Sequence, residues 1–595
     1  MKKLMTGNEA VARGVFEAGI KYAAAYPGTP STEILENIAG NYKEDIVSEW
    51  APNEKVALES TIGFSIVGGR AFASMKQVGM NVAADPMFSV AYTGINGGLV
   101  IVTADEPGIH SSQTEQDNRY YAKAAKIPMF EPSDSQECKD MIKEAIEVSE
   151  MFKMPVIFRM TTRICHSKGI VSLGEREEVE VKEYKKNIWQ YTTMPAVSKK
   201  LRVELEEKLV NVKKYSNKSK FNIEEINDTK IGVVTSGISY QYAKETFGDS
   251  ASYFKVGFSY PLPIDRIKEF SNKVDKLYVI EEIEPYMEEQ LKANGIECVG
   301  REKLTNIGEL SVAILKSAFL NIEEDKIKIN KEKIVPRPPA LCAGCPHRPV
   351  FYELQKRKDI VVSGDIGCYG LGAVPPLSAV DTIICMGTSI SGGHGMAKAF
   401  ETYGIQKKAV SVIGDSTFFH SGMTGLLDVV YNKSKTVTVI LDNRITGMTG
   451  HQDHPGTGYN AIGEEAPEAN IELIVKALGI KHVKSLNPFD MEDLNKTLEW
   501  ALNLEEPSVI ISRWPCALKK MSKSDINEFG DYFTKFEIDK DKCIGCRMCT
   551  KCGCPAIRFD KETNKASIDD TMCLGCSTCA QICPKDAIHE VKNNK

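Results

Sequence analysis

No run in this chain approaches the roughly 20 consecutive apolar residues that a membrane-spanning helix needs. Its opening, Met1-Lys2-Lys3-Leu4-Met5-Thr6-Gly7-Asn8-Glu9, has no apolar core of a secretory leader. A concentrated basic stripe is missing too: 74 Lys and Arg face 80 Asp and Glu, for a net charge of -6. Neither nucleic acid nor a membrane is therefore an expected partner. Cysteine, by contrast, is abundant. The chain has 17, and with no secretory route they point to a reducing cytoplasm and to metal ligation rather than disulfides. A length of 595 residues exceeds a single core and predicts about three to five domains.

The C-terminal cysteines read Cys543-x2-Cys546-x2-Cys549-x4-Cys554-Pro555, then Cys573-x2-Cys576-x2-Cys579-x3-Cys583-Pro584. This is the ligand pattern of a two-cluster ferredoxin, in which three close thiolates hold one iron–sulfur cube and the fourth cysteine reaches across to the other. It assigns Cys543, Cys546, Cys549 and Cys583 to one [4Fe-4S] cluster, and Cys573, Cys576, Cys579 and Cys554 to the second. The halves are offset by 30 residues at the first three cysteines and by 29 at the fourth, as a duplication with one added residue would be. Structural zinc would favour CxxC pairs over triplets closed by Cys-Pro. Cys552 competes with Cys554 for one place; the proline after Cys554 matches Cys583-Pro584 and favours Cys554.

Ahead of this tail, short β-branched runs alternate with helical stretches, which predicts α/β domains on doubly wound parallel sheets. Strands are expected at 70–75, 99–104 and 155–161, at 231–237 and 276–280, and at 361–368, 382–387, 410–415, 436–442 and 508–513. Polar segments at 174–214, 323–333 and 519–540, with Pro336-Arg337-Pro338-Pro339, read as linkers. The expected domains are residues 1–185, a middle α/β domain at 186–335, then 336–520 and a ferredoxin domain at 535–595.

Ligands of such sheets gather at the carboxyl ends of strands. There the third domain reads Gly414-Asp415-Ser416 and, one helix and one strand later, Asp442-Asn443-Arg444-Ile445. A carboxylate and a carboxamide at neighbouring strand ends are hard oxygen donors suited to Mg²⁺ shared with phosphates. The pattern resembles the thiamine diphosphate motif, GDG followed by NN. Carried over, Asp415 and Asn443 ligate the metal through side chains and Ile445 through its backbone oxygen, while Gly414 and Ser416 flank it. Ser416 stands where that motif often has Gly, and Asp442 where it often has Asn. The glycine-rich segment 387–395, with Gly387, Thr388 and Ser389 opening a helix, offers a diphosphate cradle. Ordinary Gly-Asp and Asp-Asn turns are the plain alternative. In the N-terminal domain Tyr26-Pro27-Gly28-Thr29-Pro30-Ser31 marks a strand-to-helix turn, and Glu54 opens a helix. A glutamate in a first helical turn is commonly a surface dipole contact; beside a thiamine motif it is a candidate for the acid that faces the aminopyrimidine.

With these parts in order, the chain resembles the large subunit of indolepyruvate:ferredoxin oxidoreductases, within the thiamine-dependent 2-oxoacid:ferredoxin oxidoreductase family. The matching segments are 26–33, 50–59, 75–86, 387–396, 414–422, 442–458 and the tail with its lengthened Cys549-x4-Cys554 spacing. The resemblance implies two thiamine-binding folds, in residues 1–185 and 336–520, and a reaction of an arylpyruvate with coenzyme A giving the aryl-acetyl-CoA, carbon dioxide and two reduced ferredoxins. It implies that Thr29 touches the substrate carboxylate and that Glu54 faces N1′ of the cofactor; His420, His451 and His454, in loops beside the metal motif, are candidate acid–base or substrate contacts, with a solvated loop histidine as the alternative. It further implies a smaller second subunit and a hetero-oligomer built on a dimer of large subunits. Cys342-Ala343-Gly344-Cys345 with Cys368 and Cys516 matches the third, proximal cluster of related pyruvate enzymes; turn cysteines and buried thiols are the alternative. Two rival readings stand beside this one: a thiamine-dependent decarboxylase without redox work, and an electron-relay subunit whose thiamine site has decayed.

Overall fold

The computed structural model describes residues 1–323, 329–335, 338–530 and 534–591. Backbone packing divides the chain into two units, Met1–Ile329 with Ala461–Gly463, and Asn330–Asn460 with Glu464–Lys595. Among the described residues no helix is long and apolar enough to cross a membrane.

The first unit is built on a seven-stranded sheet in the order Phe258–Tyr260, Met129–Phe130, Val156–Thr161, Leu99–Asp105, Ala71–Lys76, Tyr22–Ala25 and Val47–Trp50. Phe258–Tyr260 runs antiparallel to its neighbour, and the other pairs are parallel. Leu99–Asp105 is buried along its whole length. A strand covered on both faces reads as a continuous apolar run, not as an alternation. Helix Ser135–Phe152 lies over one face, its buried Cys138, Met141, Ile142, Ala145 and Ile146 spaced for a single stripe. Asp134 caps that helix by accepting from the Glu137 N–H at 2.8 Å.

A four-stranded sheet follows in the same unit: Leu277–Ile280, Gly232–Thr235, Ser252–Lys255 and Ile223–Glu225. Buried charges tie it to the first sheet. Arg119 donates to Asp117 and, at 2.7 Å, to Glu281, while Arg159 donates to Asp105 at 2.7 Å and Glu131 at 3.2 Å. Each guanidinium is matched by carboxylates, as burial demands.

The second unit holds a five-stranded parallel sheet in the order Ile360–Ser363, Lys408–Gly414, Val437–Asp442, Ser508–Arg513 and His482–Leu486. Asp415 and Asn443 follow adjacent strands of it. The tail adds two hairpin-like pairs, Phe536–Ile538 with Ile588–Glu590 and Ile557–Asp560 with Lys565–Ile568.

Nine of the ten expected strands are present, several of them shorter than expected. The exception is 382–387, where Thr382 makes only an isolated bridge to Ser363. Ile384 is 62% exposed and Gly387 takes φ 86°, so the apolar run bends into a turn instead of entering the sheet. The 174–214 segment contains a helix, Pro195–Ser216, and the 519–540 segment contains helix Lys523–Phe529. Residues 324–328 of one expected linker, and Pro336 and Arg337 of the proline-rich boundary, lie outside the described residues.

Candidate active site and metal centres

Asp415 stands at the end of strand Lys408–Gly414 and is buried. Its Oδ1 accepts from the Ser416 N–H at 2.9 Å, and its Oδ2 lies 3.1 Å from His454 Nε2. Burial raises its pKa, but His454 and these hydrogen bonds outweigh burial and hold it below the usual carboxylate range. The inward atom of the Asn443 carboxamide lies 3.1 Å from Asp415 Oδ1 and 2.8 Å from the Ile445 carbonyl oxygen. With the amide oxygen turned inward, three acceptors converge with no donor among them. Turned the other way, the amide N–H groups donate to both acceptors; with the oxygen inward, the set suits a hard cation such as Mg²⁺.

The chain turns sharply at Arg444, φ 62°, between the two inward-facing ligands. Arg444 is fully buried and held by Gly456 O at 3.0 Å, by Asp525 at 3.2 Å and by Glu468. Asp442 accepts from Arg513 at 2.8 Å and lies close enough to Asp415 for the two carboxyls to interact. Burial first, and then the like charge of Asp415, push its carboxyl up to about 7.

The three histidines divide. His454 touches Asp415. His420 lies in the helical turn Phe418–Gly422, not in a loop, because helix packing continues through Phe418 and Phe419; its Nδ1 meets Ser421 Oγ. His451 Nε2 is 3.7 Å from Cys516 Sγ. At the expected cradle, Asp365 caps helix Thr388–Tyr403, accepting from the N–H groups of Gly387 and Ser389 at 2.9 Å each. A carboxylate thus already occupies those two amides, while Thr388 Oγ1 meets Cys385 Sγ. Asp365 carried no motif, and only its place after strand Ile360–Ser363 could have flagged it.

In the first unit the Tyr26–Ser31 turn is closed by Ser31, whose hydroxyl donates to Gly28 O at 3.0 Å, and by Asn8, which donates to Pro30 O at 2.7 Å. Thr29 is half-buried on it. Glu54 is the first residue of helix Glu54–Ile66, which Asn53 caps by accepting from the Val56 N–H at 2.9 Å. Glu54 is buried, and helix Gln77–Val82 packs so closely on it that a Cβ on Gly79 would fall 2.6 Å from Glu54 Oε1. Lys76, which the sequence reading passed over, lays its stem on Gly28, and burial lowers its pKa against the pull of Glu106 and Glu54.

The tail cysteines form two groups. Cys543, Cys546, Cys549 and Cys583 line one cavity. Burial and then its neighbours Cys543, Cys546 and Cys583 push the Cys549 thiol up to about 11. Cys579 feels Cys576, Cys552, Cys554 and Cys573, and burial foremost raises it strongly. Cys552 is fully buried and its thiol donates to Cys549 O at 3.1 Å, whereas Cys554 is partly exposed. The remaining four converge as well: burial, then Cys516 and Cys342, push Cys368 up to about 11, and Cys345 feels the same two. A Cβ on Gly447 would lie 3.8 Å from Cys368 Sγ and 3.9 Å from Cys516 Sγ. Crowded, buried thiols resist ionisation unless a metal takes up the charge. The backbone repeats with them. Gly344, Gly545 and Gly575 of the three CxGC turns have φ of 68°, 70° and 78°, the left-handed region that favours glycine.

Comparison with known proteins agrees with this inventory. Residues 365–512 match the thiamine pyrophosphate enzyme C-terminal TPP-binding domain, residues 13–228 the pyruvate flavodoxin/ferredoxin oxidoreductase thiamine-diphosphate-binding family, and residues 535–584 the 4Fe-4S dicluster domain. The chain is 41% identical to the indolepyruvate oxidoreductase subunit IorA of Archaeoglobus fulgidus, covering 100% of this chain and 98% of that one. It is 39% identical to the subunit of the same name from Pyrococcus horikoshii, again over 100% and 98%. The likeness to the Methanothermobacter marburgensis subunit is 38% over 98% and 96%. The chain belongs to the IorA family of indolepyruvate oxidoreductase subunits.

Proposed function

We propose that this chain is the thiamine- and cluster-bearing subunit of an arylpyruvate:ferredoxin oxidoreductase. The reaction joins the 2-oxoacid anion, coenzyme A and two oxidised ferredoxins, and yields acyl-CoA, carbon dioxide, two reduced ferredoxins and a proton. One observation supports the reading: Asp415, Asn443 and Ile445 share a unit with the cysteine-rich tail, four of whose cysteines line one cavity. A decarboxylase without redox work has no use for the cysteines, and a bare electron relay has none for the oxygen set.

When bound, thiamine diphosphate supplies the carbon nucleophile and the sink for the electrons left by carbon dioxide. The chain supplies the rest. Asp415, Asn443 and Ile445 would hold Mg²⁺, and His454 beside Asp415 favours its ionised form. Glu54 gives the carboxylate that polarises the aminopyrimidine, and Thr29 meets the substrate carboxylate. Cys543, Cys546, Cys549 and Cys583 would hold an outer cube, and Cys554, Cys573, Cys576 and Cys579 an inner one. Cys342, Cys345, Cys368 and Cys516 would hold a third. Clusters held by these cysteines would supply one-electron carriers between a two-electron oxidation and ferredoxin.

Residues 1–185 act as the pyrimidine-side domain and 336–520 as the diphosphate-side domain, with a smaller partner subunit completing the coenzyme A site in an assembly built on two large subunits. The relatives' printed name supports indolepyruvate as the substrate. A substrate panel on the complete enzyme tests this: indolepyruvate and phenylpyruvate give the highest kcat/KM, and a preference for branched-chain or small 2-oxoacids overturns the aryl assignment.

A further inference from the structure

Arg348 is 1% exposed and has no carboxylate within ion-pair distance among the described residues. That sets it apart from Arg119 and Arg444, the other fully buried guanidinium groups, which are matched by Asp and Glu side chains. Its hydrogen bonds go to backbone carbonyls instead: Nη1 donates to Cys552 O at 2.6 Å, and Nη2 to Cys342 O at 2.8 Å and to Leu341 O. Its Nε is buried without a partner. A guanidinium cannot shed its charge, and carbonyl dipoles do not neutralise it. A buried, unmatched cation is costly, so an anion must complete the site.

The groups around Arg348 identify the anion. Nη1 of Arg348 donates to the Cys552 carbonyl, and a Cβ on Gly553, the residue before Cys554, would lie 3.3 Å from the same nitrogen. One hydrogen bond grips the first CxGC turn and another the tail segment carrying Cys552 and Cys554. Leu574 of the tail packs on Gly344, whose added Cβ would lie 2.9 Å from Leu574 Cβ, so the two CxGC turns touch here. A [4Fe-4S] cube on four thiolates is a dianion when oxidised and gains one more negative charge on reduction. It is therefore an anion of the kind this cation lacks.

We propose that Arg348 is the counter-ion of the inner tail cluster, and that it raises this cluster's reduction potential above that of the outer one. A fixed positive charge favours the more negative, reduced form. The inner cube is thereby the resting place for an electron coming from the Cys342 side, and the outer cube, remote from Arg348, is the stronger donor to ferredoxin. This rests on the two-cluster reading of the tail, which the iron and sulfide content of the wild-type protein tests separately.

The experiment is an anaerobic, EPR-monitored redox titration of the complete enzyme carrying Arg348→Gln or Arg348→Lys, with Cys546→Ser used to assign the outer signal. In Arg348→Gln, iron content stays at the wild-type value and the inner midpoint falls relative to the outer by at least the equivalent of a tenfold change in electron sharing, about 59 mV for one electron. Arg348→Lys keeps the charge and recovers most of that shift. Equal movement of both midpoints, or movement of neither, overturns the proposal. If Arg348→Gln loses the inner cluster's iron, Arg348→Lys must retain it; loss in both makes Arg348 a mere brace and also overturns the proposal.

Discussion

At the scale of single residues, the proposed Mg²⁺ site is set by oxygen atoms that follow two adjacent strands. Asp415→Ala and Asn443→Ala each remove one of three protein oxygens from the convergent set. Mg²⁺ demands a near-ideal octahedron of about six ligands and does not substitute them freely. Both variants should lose Mg²⁺-dependent thiamine diphosphate binding, measured by calorimetry, while keeping their iron. Glu54→Gln keeps the shape and removes the charge, so the cofactor should bind while turnover drops about 100-fold or more. Gly79→Ala offers a subtler probe. Its new Cβ would fall 2.6 Å from Glu54 Oε1, so it should lower activity through a displaced carboxylate without touching cofactor or substrate. Unchanged turnover in both variants would move the acid elsewhere.

These residues differ in how plainly the sequence showed them. Asp415 and Asn443 were legible because strand-end motifs put chemistry at fixed offsets. Asp365, Lys76 and Arg348 were not, because each matters through partners hundreds or tens of residues away that only the folded chain supplies: Gly387 and Ser389 for Asp365, Gly28 for Lys76, and Cys552 for Arg348.

At the scale of elements, the CxGC turn is the recurring part. Its glycine takes a left-handed conformation in all three copies, and in the tail the next-but-one residue does too, Arg547 at φ 59° and Ser577 at φ 58°. The 30-residue repeat is thus a repeat of backbone shape, and the sequence showed it because cysteine spacing and chain conformation are the same constraint. If the first turn serves the same end, the anaerobic wild-type protein should hold about twelve iron atoms, four to each cube, and Cys516→Ser should lower that to about eight. A wild-type content near eight would confine the clusters to the tail. Strand 382–387 was misread at this scale. An apolar run beside a sheet looks like a strand locally, and its exposure at Ile384 follows from neighbours the run itself does not encode.

At the scale of the whole molecule, buried carboxylates make stability depend on pH. Burial foremost pushes Glu282 up to about 7 and Asp105 up to about 6. The folded chain therefore keeps protons that the unfolded chain, with ordinary carboxyl groups, has already released. Stability contributed by the protonated forms is full at low pH and lost as pH rises toward 7. The unfolding midpoint of the first unit should fall between pH 5 and pH 7.5, roughly the span over which these groups titrate, and Glu282→Gln should flatten that fall. A midpoint that climbs over this range would contradict it. The α/β class and the ferredoxin tail were readable from periodicity and spacing. The division into two units was not, because Ala461–Gly463 joins a unit remote from it in sequence.

The central claim is that one chain couples decarboxylation at a thiamine site to electron export through its cysteines. Anaerobic assay of the chain with its partner subunit, supplied with indolepyruvate, coenzyme A and oxidised ferredoxin, tests it most directly. Carbon dioxide and reduced ferredoxin should appear in a ratio of one to two, as the balanced reaction requires, and both should vanish in Asp415→Ala. Carbon dioxide released at full rate with ferredoxin left oxidised would contradict the account.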